Sequence, residues 1–433
     1  MTVRCHTRQL ADDARELRAG TLSVAAYDAT IREHVEAVEP DIRAFVSEAR
    51  RWERLQAEGT ALSARYPASA DRPELYAIPV GIKDIVHVEG LLTKAGTDVP
   101  PKSFAGEEAT IVRRLRDAGG RVLGKTVTTE FAYFEPGPTR NPHALSHTPG
   151  GSSSGSAAAV AAGMCPLAIG TQTIGSVIRP AAFCGIVGVK PSYGRIPMDG
   201  VVPVAPSIDH LGMFTQTVAD ARLAASVVCA DWTDEGGETE LQAIGAVEGA
   251  YLEQASDTAK RHFREHLARI EATGVDVVRV DPFPDIDAIN DRHHTLMYAE
   301  MARVHRERYE RYGDCYADST SAAIQRGSAI DDDRLATART GRLALRRDIH
   351  EILEAHDLEL LVSPSAPGPP PEGLDSTGDP VMNLPWTHAG VPTVTIPASQ
   401  TSEGLPMGVQ CVTRFERDEA LLRLAEPIEE ALT

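Results

Sequence analysis

The spacing of apolar and polar positions along this chain predicts helices and strands in turn. Residues 7–60 carry apolar positions at helical spacing. Ser23 is placed to cap a helix through Ala25–Val38, and Asp41 to start another that runs through Arg54. Tyr76–Val80 is a short apolar run that leads into Gly81-Ile82-Lys83 and reads as a strand. Within Ala109–Ala118, Ile111, Val112 and Leu115 share one helical face, and Gly119-Gly120 ends the helix. A strand begins at Arg121–Leu123. Ser156–Gly163 is a helix of small residues, and Pro166–Gly170 is a buried strand that runs into Thr171–Ser176.

The second half repeats the alternation. Residues 217–230 and 252–273 read as helices, and Val275–Val280 as a strand. Charge recurs at helical spacing over 288–356. Leu358–Val362, Thr393–Pro397 and Met407–Val412 read as strands, and Glu416–Leu432 as a last helix. Strands alternating with helices imply a layered α/β domain. One domain over 1–433 is expected, in four stretches. These are N-terminal helices (7–60), a core (76–230), a variable helical insertion that shapes substrate access (235–350), and C-terminal strands with a helix (357–433).

Composition narrows the function classes. The net charge of −19 repels phosphate backbones, which argues against direct nucleic-acid binding. Residues Asn141 to Ile178 contain no charged side chain, but their Gly, Ser, Thr and Gln content is too polar for a membrane span. Such a run reads as buried, tightly packed backbone. The first twenty residues are polar and charged, unlike a signal peptide. The six cysteines are scattered, as buried thiols of a reducing compartment would be, so a cytoplasmic location is expected.

Two familiar motifs occur in the wrong context. Residues Gly119 to Thr126 fit GxxxxGKT, but a helix precedes them and the strand lies inside the motif. Gly151-Ser152-Ser153-Ser154-Gly155 fits GxSxG, but a loop with Pro142 and Pro149 precedes it where a nucleophile elbow needs a strand. His293-His294, Asp285/Asp287 and Asp331-Asp332-Asp333 lack metal-ligand spacing, so neither metal nor cofactor is expected.

What remains is a distributed set. Only six of the 43 cationic residues are Lys, and Lys83 stands inside the apolar run AIPVGIKDIV. Lysine is rarely buried without a reason. Burial lowers its proton affinity and yields a neutral amine able to act as base. A bland alternative is an ion pair with Asp84. Ser176 follows GTQTIG at the end of a predicted strand, where successive N–H groups can hold an oxyanion. Together with the GGSSSGS loop, Lys83 and Ser176 make Ser–Lys nucleophilic chemistry plausible without histidine.

At these residues the chain resembles the amidase-signature family. The resemblance runs through GGSSSGSAAAVAAG (150–163), LAIGTQTIGSVIRPAAFCGIVGVKPSYGRI (167–196) and SIDHLGMFTQTVADA (207–221). VGIKDI (80–85), GKTVTTEFAYF (124–134) and the segment from NLPWTHAG to GLPMGVQ (383–410) flank it. It implies a single α/β domain with a mixed central sheet covered by helices on both faces. It also implies amide hydrolysis through a Ser acyl-enzyme, with Ser176 as nucleophile, Ser152 as proton relay and Lys83 as base. In the family a cis peptide precedes the serine that matches Ser152. The backbone of Thr173, Ile174, Gly175 and Ser176 would bind the oxyanion.

The chain departs from the family at two positions. Ile174 stands where Gly is usual, which crowds the acyl pocket and strains the turn if a positive φ is needed. Arg179 lies three residues after Ser176, as in malonamidase-type members, where the matching arginine faces a substrate carboxylate. A structural role, pinning the loop, is the alternative. Three functions follow from the resemblance: a stand-alone amidase for a small amide, a glutamine amidase subunit of a tRNA-dependent amidotransferase, or an inactive binding protein on the same fold. The first is preferred, with a small-molecule amide as the partner, no direct nucleic acid, no membrane, and a homodimeric assembly.

Overall fold

Ten buried or half-buried strands form one mixed sheet in a computed structural model that describes residues 8–233 and 241–433. The first seven residues, with Cys5, and the opening residues of the 235–350 segment lie outside the described residues. In chain order the strands are β1 (Pro79–Lys83), β2 (Arg121–Thr126), β3 (Leu167–Gln172), β4 (Val187–Lys190) and β5 (His210–Thr215). There follow β6 (Ala243–Val247), β7 (Asp276–Val280), β8 (Leu360–Pro364), β9 (Thr393–Gln400) and β10 (Pro406–Val412). Their spatial order is β2-β1-β3-β5-β4-β9-β10-β8-β6-β7. The β1–β2 and β1–β3 pairs are parallel, whereas β3–β5 and β4–β5 are antiparallel. The expected α/β fold with a mixed central sheet is the one observed.

β1, β2 and β3 are buried along their whole length, which is why they read as continuous apolar runs. β7 closes one edge and is half exposed, as an edge strand tolerates. Three strands leave no clear mark in the apolar pattern: β4, β5 and β6. Each sits between two paired neighbours in the sheet, so pairing rather than local propensity makes them strands.

Other boundaries shift for local reasons. β1 starts at Pro79 rather than Tyr76, since proline has no N–H for the ladder and suits a first strand position. Lys83 is therefore the last residue of β1. Ser23 caps Val24–Ile42, accepting from the Ala26 N–H, and this helix runs past Asp41. It stops at Arg43 because the Glu39 carboxylate takes the N–H groups of Ala44 and Phe45. The next helix is Arg51–Arg65. Within 235–350, β6 and β7 extend the central sheet, so this stretch is sheet as well as helix.

Candidate active site

The C-terminal ends of β1 and β3 lie side by side, since Ile82 pairs with Ile169. This register brings Lys83 to Thr171 and to the serine loop that follows Gly150. Lys83 Nζ lies within hydrogen-bond distance of Ser152 Oγ (2.7 Å), Thr171 Oγ1 (2.8 Å) and Ser153 Oγ (3.0 Å). Its side chain is 0% exposed. Full burial pushes its proton affinity well below that of an ordinary lysine, and Asp209 opposes the shift. The three partners are all neutral hydroxyls. The ion-pair alternative with Asp84 does not hold, because Asp84 Oδ1 meets Lys125 Nζ at 3.0 Å instead.

The serine loop is fixed by its backbone. The Gly151–Ser152 peptide is cis. The Gly151 carbonyl accepts from Arg179 Nη2 at 2.7 Å, and the Ser152 carbonyl from the Thr129 N–H at 3.1 Å. Ser153 is fully buried and bonded to both the N–H and the carbonyl of Thr171. It is therefore a packing residue, and the GxSxG match is fortuitous. Lys125 of the GxxxxGKT match sits inside β2, in the Asp84 ion pair.

Ser176 lies in the turn between β3 and the helix Ile178–Cys184. Gln172 shapes that turn: its Oε1 accepts from the N–H groups of Val177 (2.8 Å) and Ile178 (2.9 Å). Its Nε2 donates to Thr387 Oγ1, which itself donates to the Ile174 carbonyl at 2.6 Å. Thr173 Oγ1 donates to Asp209 Oδ1 at 2.6 Å. Gly175 allows a close approach, because a Cβ there would collide with Asn383 Oδ1 and Pro380. Ile174 is not among the residues with positive φ, so the turn accepts a side chain at this position without that strain.

A small, narrow pocket opens on Ser176. Ile174, Val204, Met297 and Pro380 give it apolar walls, Tyr133 and Phe134 an aromatic side, and Arg179 a cation. Phe134 and Pro380 also line an outer vestibule with His294 and Asp379. A larger groove lies elsewhere, around Asp281, Arg292 and Asp348, and touches none of these groups.

Arg179 is buried, and its proton affinity is pulled down to about 10 by desolvation, against the pull of Asp379. Besides Gly151, it donates to the Gly378 carbonyl at 2.8 Å and to Thr377 Oγ1 at 3.1 Å. It thus pins two loops together, while its Nε has no acceptor among the described residues. Sequence reasoning missed Asp209, Gln172, Thr171 and Thr387. Asp209 had a readable signal, since a lone acid in SIDHLGMF resembles the lone lysine in AIPVGIKDIV. The other three are polar residues whose partners are remote in sequence.

The amidase family pattern matches residues 29–422. The chain belongs to the amidase family. A solved structure described as an amidase superposes with a TM-score of 0.89 at 29% identity, covering 98% of this chain and 100% of that one. The peptide amidase of Stenotrophomonas maltophilia gives 0.82 at 25% identity, with 98% and 96% covered. Curated relatives include a glutamyl-tRNA(Gln) amidotransferase subunit of Chromohalobacter salexigens, 31% identical over 98% of this chain and 97% of its own. The corresponding subunit of Roseiflexus castenholzii is 31% identical, with 95% and 94% covered. The amidase fold and the amide-hydrolase class are thereby established for this chain.

One expectation is overturned. A small-molecule partner alone, with no nucleic acid and a homodimeric assembly, does not fit relatives named as a subunit of a glutamyl-tRNA(Gln) amidotransferase. A net charge of −19 averages over the whole surface. It does not constrain an assembly in which another subunit carries the cationic surface. As for membranes, no described helix is long and apolar enough to cross one.

Proposed function

We propose that this amidase hydrolyses its amide through a covalent acyl-enzyme on Ser176. Ser152 relays the proton and Lys83 acts as base. The observation that carries this reading is the 2.7 Å contact between fully buried Lys83 and Ser152 Oγ. A neutral amine among three hydroxyls donates two hydrogen bonds and keeps a lone pair for the third hydroxyl's proton.

Ser176 Oγ attacks the amide carbonyl carbon as its proton passes through Ser152 to Lys83. Negative charge gathers on the carbonyl oxygen, next to the N–H groups of Thr173, Ile174, Gly175 and Ser176. Among the described residues, the N–H groups of Ile174, Gly175 and Ser176 have no protein acceptor, which supports this role. Collapse breaks the C–N bond. The ammonium of Lys83 returns a proton through Ser152 to the departing amine. Water then attacks the ester by the same relay and frees Ser176.

The compact apolar pocket favours a small amide, and Arg179 supports a carboxylate on it, since a guanidinium in an apolar pocket attracts an anion. Buried thiols at Cys165, Cys229 and Cys411 suit a reducing cytoplasm. Labelling with a fluorophosphonate tests the mechanism. An adduct that maps to Ser176 and disappears in Ser176→Ala is the expected result, and an adduct elsewhere overturns it.

A second reading has its own support. The curated relatives are named as part of an amidotransferase, which suggests that the same site releases ammonia from glutamine for a partner. Turnover of small amides by the isolated chain favours the first reading. Hydrolysis that needs co-purifying subunits favours the second.

A further inference from the structure

We propose that Asp209 is a positioning residue that ties the oxyanion turn to the base, supplying the fixed negative charge against which Lys83 takes up the serine's proton. This rests on the Ser176–Ser152–Lys83 reading above. β3 carries the link. Thr171 and Thr173 are two positions apart, which places their side chains on one face when the backbone is extended. Thr171 Oγ1 meets Lys83 Nζ at 2.8 Å, and Thr173 Oγ1 meets Asp209 Oδ1 at 2.6 Å. Lys83 and Asp209 therefore flank the end of β3 and the turn that follows it, linked through Thr171 and Thr173. Asp209 itself precedes β5, the antiparallel neighbour of β3, where Gln172 pairs with His210.

Asp209 is held as an anion would be. Its Oδ2 accepts from the N–H groups of Val204 (2.8 Å) and Ala205 (2.9 Å), and its Oδ1 from Thr173. No ion pair reaches it among the described residues, although it is only 3% exposed. A buried carboxylate without a cation is costly and marks a functional position. Burial raises its proton affinity and these three donors oppose that. The charged groups around it are few. Glu300 acts on it from the helix Ile286–Tyr312 and is neutralised by Arg339, and Tyr193 feels Asp209 from the loop after β4. His293 faces Thr173 from that same helix and is kept neutral by burial. Among the described residues, Asp209 is the charged group that acts on Lys83.

Two functions follow from one carboxylate. Its charge favours the ammonium form of Lys83 when the serine proton arrives, which strengthens the base. Its hydrogen bond to Thr173 aims the turn that carries Ile174, Gly175 and Ser176. Removing the charge leaves Lys83 neutral to lower pH but a weaker base.

The test is the pH profile of kcat/KM in two variants of the full chain. Asp209→Asn is expected to move the acid limb to lower pH by roughly one unit, with a fall in kcat. Thr173→Val is expected to lower kcat by roughly tenfold or more with the acid limb unmoved, and Thr173→Ser to restore it. An acid limb that stays in place in folded Asp209→Asn overturns the proposal. Asp209→Ser, which keeps an acceptor for the two amides, carries the same readout if the asparagine variant does not fold. Failure of both to fold makes Asp209 a stability residue and also overturns it. Activity retained by Ser176→Ala or Lys83→Met would instead sink the underlying triad.

Discussion

Lys83 Nζ lies 2.7 Å from Ser152 Oγ, joining segments 69 residues apart in the chain. Neither residue has an ionic partner within the contact. The lysine is buried where its charged form is disfavoured, as the proposed role of Lys83 as base requires. The other lysine in this neighbourhood behaves differently. Lys125 is nearly as buried but meets Asp84 at 3.0 Å, and that pair serves packing.

Replacing Ser176 with Ala removes the proposed nucleophile and should leave the fold intact, because Ser176 is a turn residue whose loop is held by Gln172 and Thr387. Amide turnover should fall by roughly 10³-fold or more while the circular dichroism spectrum stays unchanged.

Activity should depend on pH through Lys83. Its amine must be neutral to accept a proton, and burial holds its proton affinity well below the ordinary lysine value. kcat/KM should rise with pH through that depressed value and level off above it. Stability has the same sign. Between the depressed folded value and about 10.4 the unfolded chain binds more protons at this site, so the fold gains stability as pH rises and loses it on acidification. Lys83→Met should abolish turnover and remove this contribution from the pH dependence of urea unfolding.

Gly175 is sterically confined. A methyl group there would collide with Asn383 Oδ1 and crowd the Pro380 side chain at 2.9 Å. Asn383 cannot retreat, since its Nδ2 donates to the Ser365 carbonyl and to Gln410. Gly175→Ala should therefore cost about 1–3 kcal/mol in denaturant unfolding and displace the turn enough to cut kcat sharply. Unchanged kcat would show that the turn has slack.

Arg179 separates two roles in one residue. Arg179→Met removes three hydrogen bonds to the 151 and 377–378 loops, so thermal stability should drop. If the guanidinium also meets a substrate carboxylate, kcat/KM for a carboxylated amide should fall by roughly tenfold more than for its neutral analogue. Equal losses on the two substrates would leave only the pinning role.

Much of this protein is written locally. Buried parallel strands leave continuous apolar runs, and a lysine in one of them already marks an unusual environment, so the presence of β1 and β3 and the burial of Lys83 were legible, although both strands lie further along the chain than their apolar runs suggested. The uncharged run of small residues around Ser152 was legible as tightly packed backbone, whereas Ser152 and Ser176 themselves stood out only through the resemblance to the amidase-signature family. Tertiary structure alone decided which partners those residues meet. The pairing of β1 with β3 sends Lys83 to Ser152 and Thr171 instead of Asp84. The antiparallel β5 brings Asp209 to Thr173, and the fold closes Arg179 onto loops near residues 151 and 378. These contacts span tens to hundreds of residues, and hydrogen bonds between such remote groups leave no periodic trace in the chain. The sequence by itself therefore determined the alternating α/β pattern and the candidate side chains, and the strand order determined the partners and burial that those side chains acquire, because both depend on pairings between remote segments.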